Sequence, residues 1–271
     1  MSGTASIPTV VIGAHGRMGR NIVRELANFP ALSLHGALAS ERSSALGQDA
    51  GTLAGLSPCG IRLSASLPPL LTGARLVIDF SSASAAPATL AACVAAGVPL
   101  LLGTTGLAPE LAAPLAQAAG RIALLVAPNT SLGLNLLLQL VRTAARALPE
   151  SYDIEILEAH HRHKLDAPSG TALALGECAA QARGTTLGAT AVHTRHASSS
   201  ARAPGQIGFA SLRGGDVVGE HAVWFLGEGE KLMLHHSVSD RSVFARGALV
   251  AGQWLAGQAP GRYQMADVFA R

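Results

Sequence analysis

Cysteine is scarce in this chain of 271 residues. The three that occur, Cys59, Cys93 and Cys178, are far apart and odd in number, and no Cys-x-x-Cys pair exists. That spacing speaks against a disulfide framework and against a thiolate zinc site. Each thiol sits among small apolar residues, so buried free cysteines are expected, and with them a reducing, cytoplasmic location. Charge is also sparse, at 14% of residues. The basic residues are scattered and form no run, which argues against a nucleic-acid partner. The small surplus, a net charge of +3, suits an anionic small molecule instead. Long apolar runs are missing as well. The longest, near residues 134–140, is too short and interrupted to span a bilayer, so no membrane partner is expected. The N-terminus lacks a basic segment leading into a long apolar stretch and a cleavage site.

What is abundant is small aliphatic residues. Nearly half the chain (49%) is apolar while aromatics make up 4%, a composition for α/β cores of Ala, Val, Leu and Ile and not for a disordered chain. The length allows one large domain or two ordinary ones. In the first half, strands and helices alternate. Strands are expected over 8–12, 32–38, 74–80, 98–102 and 121–127, with helices over 16–28, 85–96 and 109–119. Residues 47–69, rich in Gly, Ser and Pro, read as loop with short elements. Such alternation predicts a parallel sheet covered by helices on both faces. After Leu132 the pattern changes. A long helix over 134–148 precedes a strand over 152–159 and a helix over 171–182. Three consecutive strands follow, over 206–212, 216–226 and 231–238, with Gly227–Glu230 joining the last two as a hairpin. That order predicts a mixed or antiparallel open sheet. A boundary is expected near residue 130, giving domains 1–130 and 131–240, with the helical segment 241–271 returning to the first. Residues 197–203 read as a surface loop.

The strand over 8–12 runs into Gly13, Gly16 and Gly19. In a dinucleotide-binding βαβ unit the first glycine permits a tight turn, the next a close backbone approach to pyrophosphate, and the last close packing of helix on strand. A glycine trio alone is equally an ordinary strand-to-helix turn. The preceding strand, following helix and continuing βαβ order favour the cofactor. Arg17 is placed to reach a phosphate, or to face solvent. The second strand ends in Leu38-Ala39-Ser40 with no acid for a ribose 2′-hydroxyl. Ser40, Arg42 and Ser43 suit a 2′-phosphate, which favours NADPH, while Glu41 leaves NADH open. Gly103-Thr104-Thr105-Gly106 and Ala127-Pro128-Asn129-Thr130 follow later parallel strands, where ligands bind in open α/β sheets, although turn chemistry alone explains Gly, Pro and Asn there.

The densest chemistry lies in Glu158-Ala-His-His-Arg-His-Lys-Leu-Asp-Ala-Pro-Ser-Gly-Thr171. Alternation in the strand before it puts Ile154 and Ile156 on one face and Asp153, Glu155 and Leu157 on the other. His160 and His161 are adjacent and so diverge. A histidine delivers a proton near neutral pH, its ordinary pKa being about 6.5. Lys164 supplies a fixed cation for a carboxylate. Ser169, after Pro168, reads as an N-cap, which leaves the amides near Gly170 and Thr171 for a second anionic group. His160, His161 and His163 have the atoms for a metal. His-x-His in an extended loop beside a lysine is nevertheless a poor zinc set, so no metal is expected. Arg162 and His163 read as solvating groups. His193, His196, His221, His235 and His236 have no comparable context and read as strand-face or surface residues.

These motifs occur together and in order in the dihydrodipicolinate (4-hydroxy-tetrahydrodipicolinate) reductase family, which the chain resembles over almost its whole length. The matches extend through Arg202–Phe209, Gly214–His221 and Arg241. The resemblance implies an α/β protein with an N-terminal Rossmann-type parallel-sheet dinucleotide domain. The second domain would be an α+β substrate and oligomerisation domain with a mixed open sheet. The implied reaction is NAD(P)H-dependent reduction of a small dicarboxylate of lysine biosynthesis with loss of water. His160 is then the proton donor and Lys164 its catalytic partner. His161, Gly170, Thr171 and Arg241 bind substrate. Gly13, Ala14, His15, Gly16, Arg17 and Met18, with Gly103, Thr104, Thr105 and Ala127, Pro128, Asn129, Thr130, contact the cofactor. A homotetramer is implied, with the apolar stretches 222–226 and 232–234 as contact surface or as core. The chain departs from the family at Ala39-Ser40, often an acid and an arginine, and at Ser81-Ser82, where an arginine is common. Both positions bear on the choice between NADPH and NADH. The alternatives are a related dehydrogenase of the aspartate or homoserine type and a non-catalytic dinucleotide sensor.

Overall fold

The computed structural model describes residues 6–196 and 200–269. Its elements, in chain order, are β1 (Ile7–Ile12), α1 (Arg17–Leu26), β2 (Leu32–Leu38), α2 (Ala50–Leu53), β3 (Leu63–Ser64) and α3 (Leu67–Leu71). Next come β4 (Leu76–Asp79), α4 (Ala86–Ala96), β5 (Leu100–Leu102), α5 (Ala112–Ala119) and β6 (Ala123–Val126). Then follow α6 (Leu132–Ala147), β7 (Asp153–His160), α7 (Gly170–Ala182), α8 (Leu187–Thr190), β8 (Ala191–Val192), β9 (Ile207–Arg213), β10 (Gly219–Leu226) and β11 (Lys231–Val238). Helix α9 (Ser242–Leu255) and β12 (Gly261–Tyr263) complete the order. The chain forms two compact units, one made of the segments up to Leu132 and from Ser242 onward, the other of Gly133–Arg241.

The first unit is a seven-stranded sheet in the order β12-β6-β5-β4-β1-β2-β3. Every pairing in it is parallel. Apart from Asp79, which ends β4, strands β4, β5 and β6 are short runs of Leu, Val, Ile and Ala because both faces of the sheet are covered. Alternation divides their side chains. Val11, Ile78, Leu101 and Leu125 pack on one side with α1 and α9, while Val10, Val77, Leu100 and Leu124 pack on the other with α4 and α5. Helix α4 carries a proline in its first turn and stops at Gly97, whose φ of 66° is a left-handed cap. The helix expected over 109–119 is divided. Residues Pro109–Leu111 form a 3₁₀ turn and the α-helix starts at Ala112, since the Pro114 ring cannot accept α-helical packing against the carbonyl four residues back. Strand β12 was not foreseen: three residues after Pro260 carry no alternation to read.

The second unit has a mixed sheet in the order β11-β10-β7-β9-β8. Strand β7 pairs antiparallel with β10 and parallel with β9, and β10 with β11 makes the antiparallel hairpin. Helix α6 buries Leu134, Leu137, Val141 and Ala145, the three- and four-residue spacing of one helical stripe. With Leu175 and Ala179 of α7 this stripe covers Ile154, Ile156, Phe209, Val223 and Phe225 on one face of the sheet. The opposite face carries ion pairs of Asp153 and Glu155 with Arg195 and Arg202. It also carries exposed Leu212 and Met233. The strand expected from residue 216 starts only at Gly219, because Gly214 and Gly215 turn the chain there, the latter with φ of 51°. Of the loop expected over 197–203, residues 197–199 lie outside the described residues.

The three cysteines do not share one environment. Cys93 and Cys178 are buried, but Cys59 is exposed, contrary to expectation. The amides of Cys59 and Gly60 donate to the Asp49 carboxylate at 3.1 and 2.8 Å, which turns this segment's backbone inward and leaves the thiol outside. Burial, and then the nearby Asp79 charge, push the Cys93 thiol up to about 12. The Cys178 thiol donates to the Leu138 carbonyl at 3.2 Å. Native protein should therefore react with Ellman's reagent at one thiol and denatured protein at all three. Rapid release of more than one equivalent from native protein would contradict this packing.

Candidate active site

In the first unit, β1 ends in a turn made possible by glycine. Gly13 has φ of 76°, and a Cβ there would stand 2.7 Å from the Phe80 carbonyl oxygen. A Cβ on Gly19 would stand 2.2 Å from the Gly13 carbonyl oxygen, so α1 packs its first turn directly onto the β1 turn. Gly16 begins α1 without a capping side chain, and no acid occupies the first turn. The first amides of α1 thus have neither an intrahelical nor a side-chain acceptor, the setting in which helices hold phosphate. Beside them is a cavity of about 740 Å³. Its wall draws on Gly13, His15 and Gly16 after β1, Ala39, Ser40 and Glu41 after β2, and Phe80, Ser81 and Ser82 after β4. Strands β2 and β4 flank β1, and the chain reverses its direction of winding there, which is where nucleotides bind in sheets of this order.

Several residues named from sequence do not line this cavity: Ala14, Arg17, Met18, Arg42, Gly103, Thr104, Thr105 and the segment Ala127–Thr130. Gly103 follows β5, and a Cβ on it would overlap the Phe80 ring. The Thr130 hydroxyl donates to the Phe244 carbonyl at 2.7 Å, and the Asn129 side-chain oxygen accepts from the Ser131 amide at 2.9 Å, so both side chains hold the loop in shape. His15 Nδ1 and Thr104 Oγ1 are buried without a hydrogen-bond partner among the described residues. Orphaned polar atoms at the carboxyl edge of the sheet, with a glycine cradle beside them, fit a dinucleotide.

In the second unit the site grows from β7. Its buried face carries Ile154, Ile156 and then Glu158, which is 1% exposed. Grouping Ile154 and Ile156 by alternation already implied a carboxylate two positions further along that face, and Glu158 is the functional-site residue the sequence reading missed. Its oxygens accept from both Arg213 Nη atoms at 2.8 and 2.7 Å, from the Ser169 amide at 3.2 Å, and share 2.6 Å with His160 Nδ1. Burial alone would raise its pKa, but the bonds from Arg213, Ser211 and His160 prevail and hold it at about 2. His221 packs its ring edge against His160, with centroids 5.2 Å apart. Burial first, and the neighbouring His160 second, depress His221 to about 4, so it is neutral. The Ser169 hydroxyl accepts the Ala172 amide as the N-cap of α7 and shares a hydrogen bond of 3.0 Å with His221 Nε2. His221 is therefore a built part of this site.

Lys164 Nζ donates to both oxygens of Asp166 at 2.8 and 2.9 Å. Lys164 first, and the Gly170 amide among lesser contributors, draw the Asp166 pKa below its ordinary range. The helix N-terminus read as free thus already holds an internal carboxylate, and it is the Lys164 carboxylate. His161 and Arg241 line a second cavity, of about 700 Å³, together with Arg162, His163, Gly215 and Asp216. Burial, then the positive charges of Arg241, His163, His160 and Lys164, lower the His161 pKa. His160, Lys164, Gly170 and Thr171 are not part of that wall. Among the described residues, no three His, Cys, Asp or Glu side chains are grouped as a metal ion requires, and no helix is long and apolar enough to cross a membrane.

Two family models divide the chain near residue 130, and the second runs through Gly133–Arg241 into the segment that returns to the first unit. Residues 7–130 match "Dihydrodipicolinate reductase, N-terminus" and residues 133–269 match "Dihydrodipicolinate reductase, C-terminus". The chain belongs to the dihydrodipicolinate reductase family. A 4-hydroxy-tetrahydrodipicolinate reductase of Anaeromyxobacter dehalogenans (strain 2CP-C) is 50% identical over 259 residues, 96% of each chain. One of Thiobacillus denitrificans (strain ATCC 25259 / T1) is 45% identical over 263 residues, covering 97% of this chain and 98% of that one. Among solved structures, the dipicolinate-bound dihydrodipicolinate reductase of Paenisporosarcina sp. TG-14 superposes with a TM-score of 0.78 at 22% identity, over 96% of this chain and 98% of that one, which is a likeness of fold. Dihydrodipicolinate reductases are oxidoreductases of the diaminopimelate route to lysine and use a nicotinamide dinucleotide.

The buried groups of this site make stability depend on pH. The folded His221 refuses a proton down to about pH 4 while the unfolded chain accepts it near 6.5. Stability is therefore complete above about 6.5 and declines as pH falls toward 4, by on the order of 3 kcal/mol. Glu158, ordinarily near 4.5 and here near 2, adds a second loss below that window. Urea denaturation of wild type and His221→Gln between pH 7.5 and 4.5 checks this. The variant, which keeps a hydrogen-bond partner for Ser169, should lose most of the slope. Equal slopes would exclude His221 as its source.

Proposed function

We propose that the protein reduces (2S,4S)-4-hydroxy-2,3,4,5-tetrahydrodipicolinate to (S)-2,3,4,5-tetrahydrodipicolinate with loss of water, using NADPH in preference to NADH. The observation that carries this reading is the joining of His160 and Lys164 within one hydrogen-bonded segment ahead of a capped helix, in a chain of this reductase family. When bound, the dinucleotide supplies a hydride for ring C4. His160 supplies the proton for the neighbouring carbon. Its Nδ1 is engaged by Glu158, so Nε2 is the nitrogen that delivers. Lys164 is its catalytic partner. The substrate is a dicarboxylate, and two anion-holding features meet that need. One is Lys164 with the Gly170–Thr171 end of α7, where the Asp166 carboxylate sits and a substrate carboxylate would replace it. The other is the cationic wall of His161 and Arg241.

In the first unit, Gly13, His15, Gly16, Arg17 and Met18 would hold the pyrophosphate end, and Ser40 with Arg42 the adenosine 2′-phosphate. The preference for NADPH rests on the chain after β2, where the strand end offers buried Ala39 and then Ser40 in place of an acid. Gly103–Thr105 and Ala127–Thr130 would serve the nicotinamide side. Three free thiols are in keeping with a cytoplasmic protein. The open sheet face of the second unit, with Leu212 55% and Met233 47% exposed, suits assembly into a homotetramer.

Oxidation of the nicotinamide can be followed at 340 nm with substrate generated in situ by the preceding synthase. Wild type should turn over with a higher kcat/KM for NADPH than for NADH, and His160→Ala should lower kcat by about 100-fold or more. No turnover by folded protein would refute the reaction, an unchanged kcat the role of His160, and a clear NADH preference the role of Ser40 and Arg42. Light scattering should give four chains per particle, and Met233→Glu should shift the distribution to smaller species. A monomeric wild type would exclude the tetramer.

A further inference from the structure

We propose that Glu158 is a positioning residue for His160, fixing the imidazole tautomer so that Nδ1 always carries hydrogen and Nε2 is the nitrogen that gains and loses the catalytic proton. The proposal rests on the reading of His160 as proton donor and extends it to a residue that touches neither substrate nor cofactor. The geometry leaves Glu158 no other state. Its side chain is fully buried, and the guanidinium of Arg213 grips it with two bonds of 2.8 and 2.7 Å. The Ser169 amide takes another position on Oε1 at 3.2 Å. An anion so surrounded is an acceptor only. The remaining contact, 2.6 Å to His160 Nδ1, must then run from the Nδ1–H to Oε2. With Nδ1 committed, proton exchange falls to Nε2.

The ring is held from its other sides too. A Cβ on Gly219 would stand 3.1 Å from His160 Nε2, so the imidazole lies against bare backbone of β10. The neutral His221 ring meets it edge-on at 72°. Rotation of the imidazole would break the Glu158 bond and collide with these neighbours. Arg213 extends the same constraint to the loop that carries Lys164. Its Nη2 donates to the Asp166 carbonyl at 2.6 Å, beside the Asp166 carboxylate that holds Lys164. One carboxylate and one guanidinium thus set both members of the His160–Lys164 pair.

Nitrogen-15 NMR of imidazole-labelled wild-type enzyme tests the tautomer without a variant, His160 being assigned from the spectrum of His160→Gln. Neutral His160 should show a protonated Nδ1 and a bare Nε2. A protonated Nε2 in neutral His160 would overturn the proposal. Kinetics give the second arm. Glu158→Gln should lower kcat by about 100-fold, the scale of a lost general acid, and leave KM within about threefold. Because an amide can donate as well as accept, the nitrogen-15 spectrum of this variant should show both neutral tautomers of His160. A fall in melting temperature with kcat and the tautomer signal unchanged would mark Glu158 as structural only and also overturn the proposal. Should the variant fold poorly with Arg213 unpaired, Glu158→Gln with Arg213→Gln removes both charges, and the same mixture of tautomers is expected. If wild type does not reduce the substrate at all, the proposed reaction fails while the NMR result still decides the tautomer.

Discussion

One ion pair, a buried carboxylate gripped by a half-buried guanidinium, organises the second unit. Glu158 lies on β7, Arg213 on β9, and Ser169 at the start of α7, so a single carboxylate joins two strands and a helix terminus. Buried ion pairs are weak grounds for stability, because desolvation offsets the Coulomb attraction, yet removing one partner strands a charge. Here the pair sits where position matters more than energy. It fixes an imidazole on one side and, through the Asp166 carbonyl, a loop on the other. The neutral His221 behind it fills space and pairs with Ser169 without adding charge. What looks in the sequence like a cluster of cationic residues is, in the folded protein, graded by environment into an imidazole gripped by a carboxylate, a neutral one, and a lysine held against an aspartate.

How far the sequence discloses this depends on the length of each signal. Strands β2 and β11 and the hairpin at Gly227–Glu230 were legible because several residues repeat the pattern and Gly marks the turn. The parallel order followed from the alternation of strand and helix, and the site loop followed from the density of His and from Ser169 as a cap. Short or local features were not legible. Strands β8 and β12, of two and three residues, depend on neighbours distant in sequence. The exposure of Cys59 depends on an aspartate ten residues earlier. Glu158 escaped notice for a different reason. Alternation was read as a rule about apolar residues, whereas a period of two carries whatever stands at the next position onto the same face. An acid on a core-facing register is itself a signal, because it requires a partner.

Lysine usage carries a related signal. Of 20 basic residues other than histidine, only Lys164 and Lys231 are lysines. Lys231 lies over the Trp224 ring, with its ammonium 5.5 Å from the centroid. Arginine does the structural pairing throughout, including Arg195 and Arg202 on the open sheet face and Arg213 inside. A planar guanidinium suits fixed, two-pronged bonds, while an ammonium is a compact charge that can exchange one carboxylate for another. The contact of Lys164 with Asp166 is of that exchangeable kind.

The dinucleotide unit is assembled from two segments that flank the second unit in sequence. Helix α9 places Ala245, Ala248, Leu249, Ala251 and Leu255 in the same core as β1 and β4, and β12 is the outermost strand beyond β6. The unit of Gly133–Arg241 is thus an insertion in a discontinuous domain. On a ribosome the inserted unit has all its strands before the surrounding one does. The nucleotide-binding sheet must wait, with the part of one face beside α1 uncovered, until α9 emerges. The stretch after Arg241 therefore governs the half of the protein that Gly13 and Gly19 begin, and loss of that stretch would strike the nucleotide unit first.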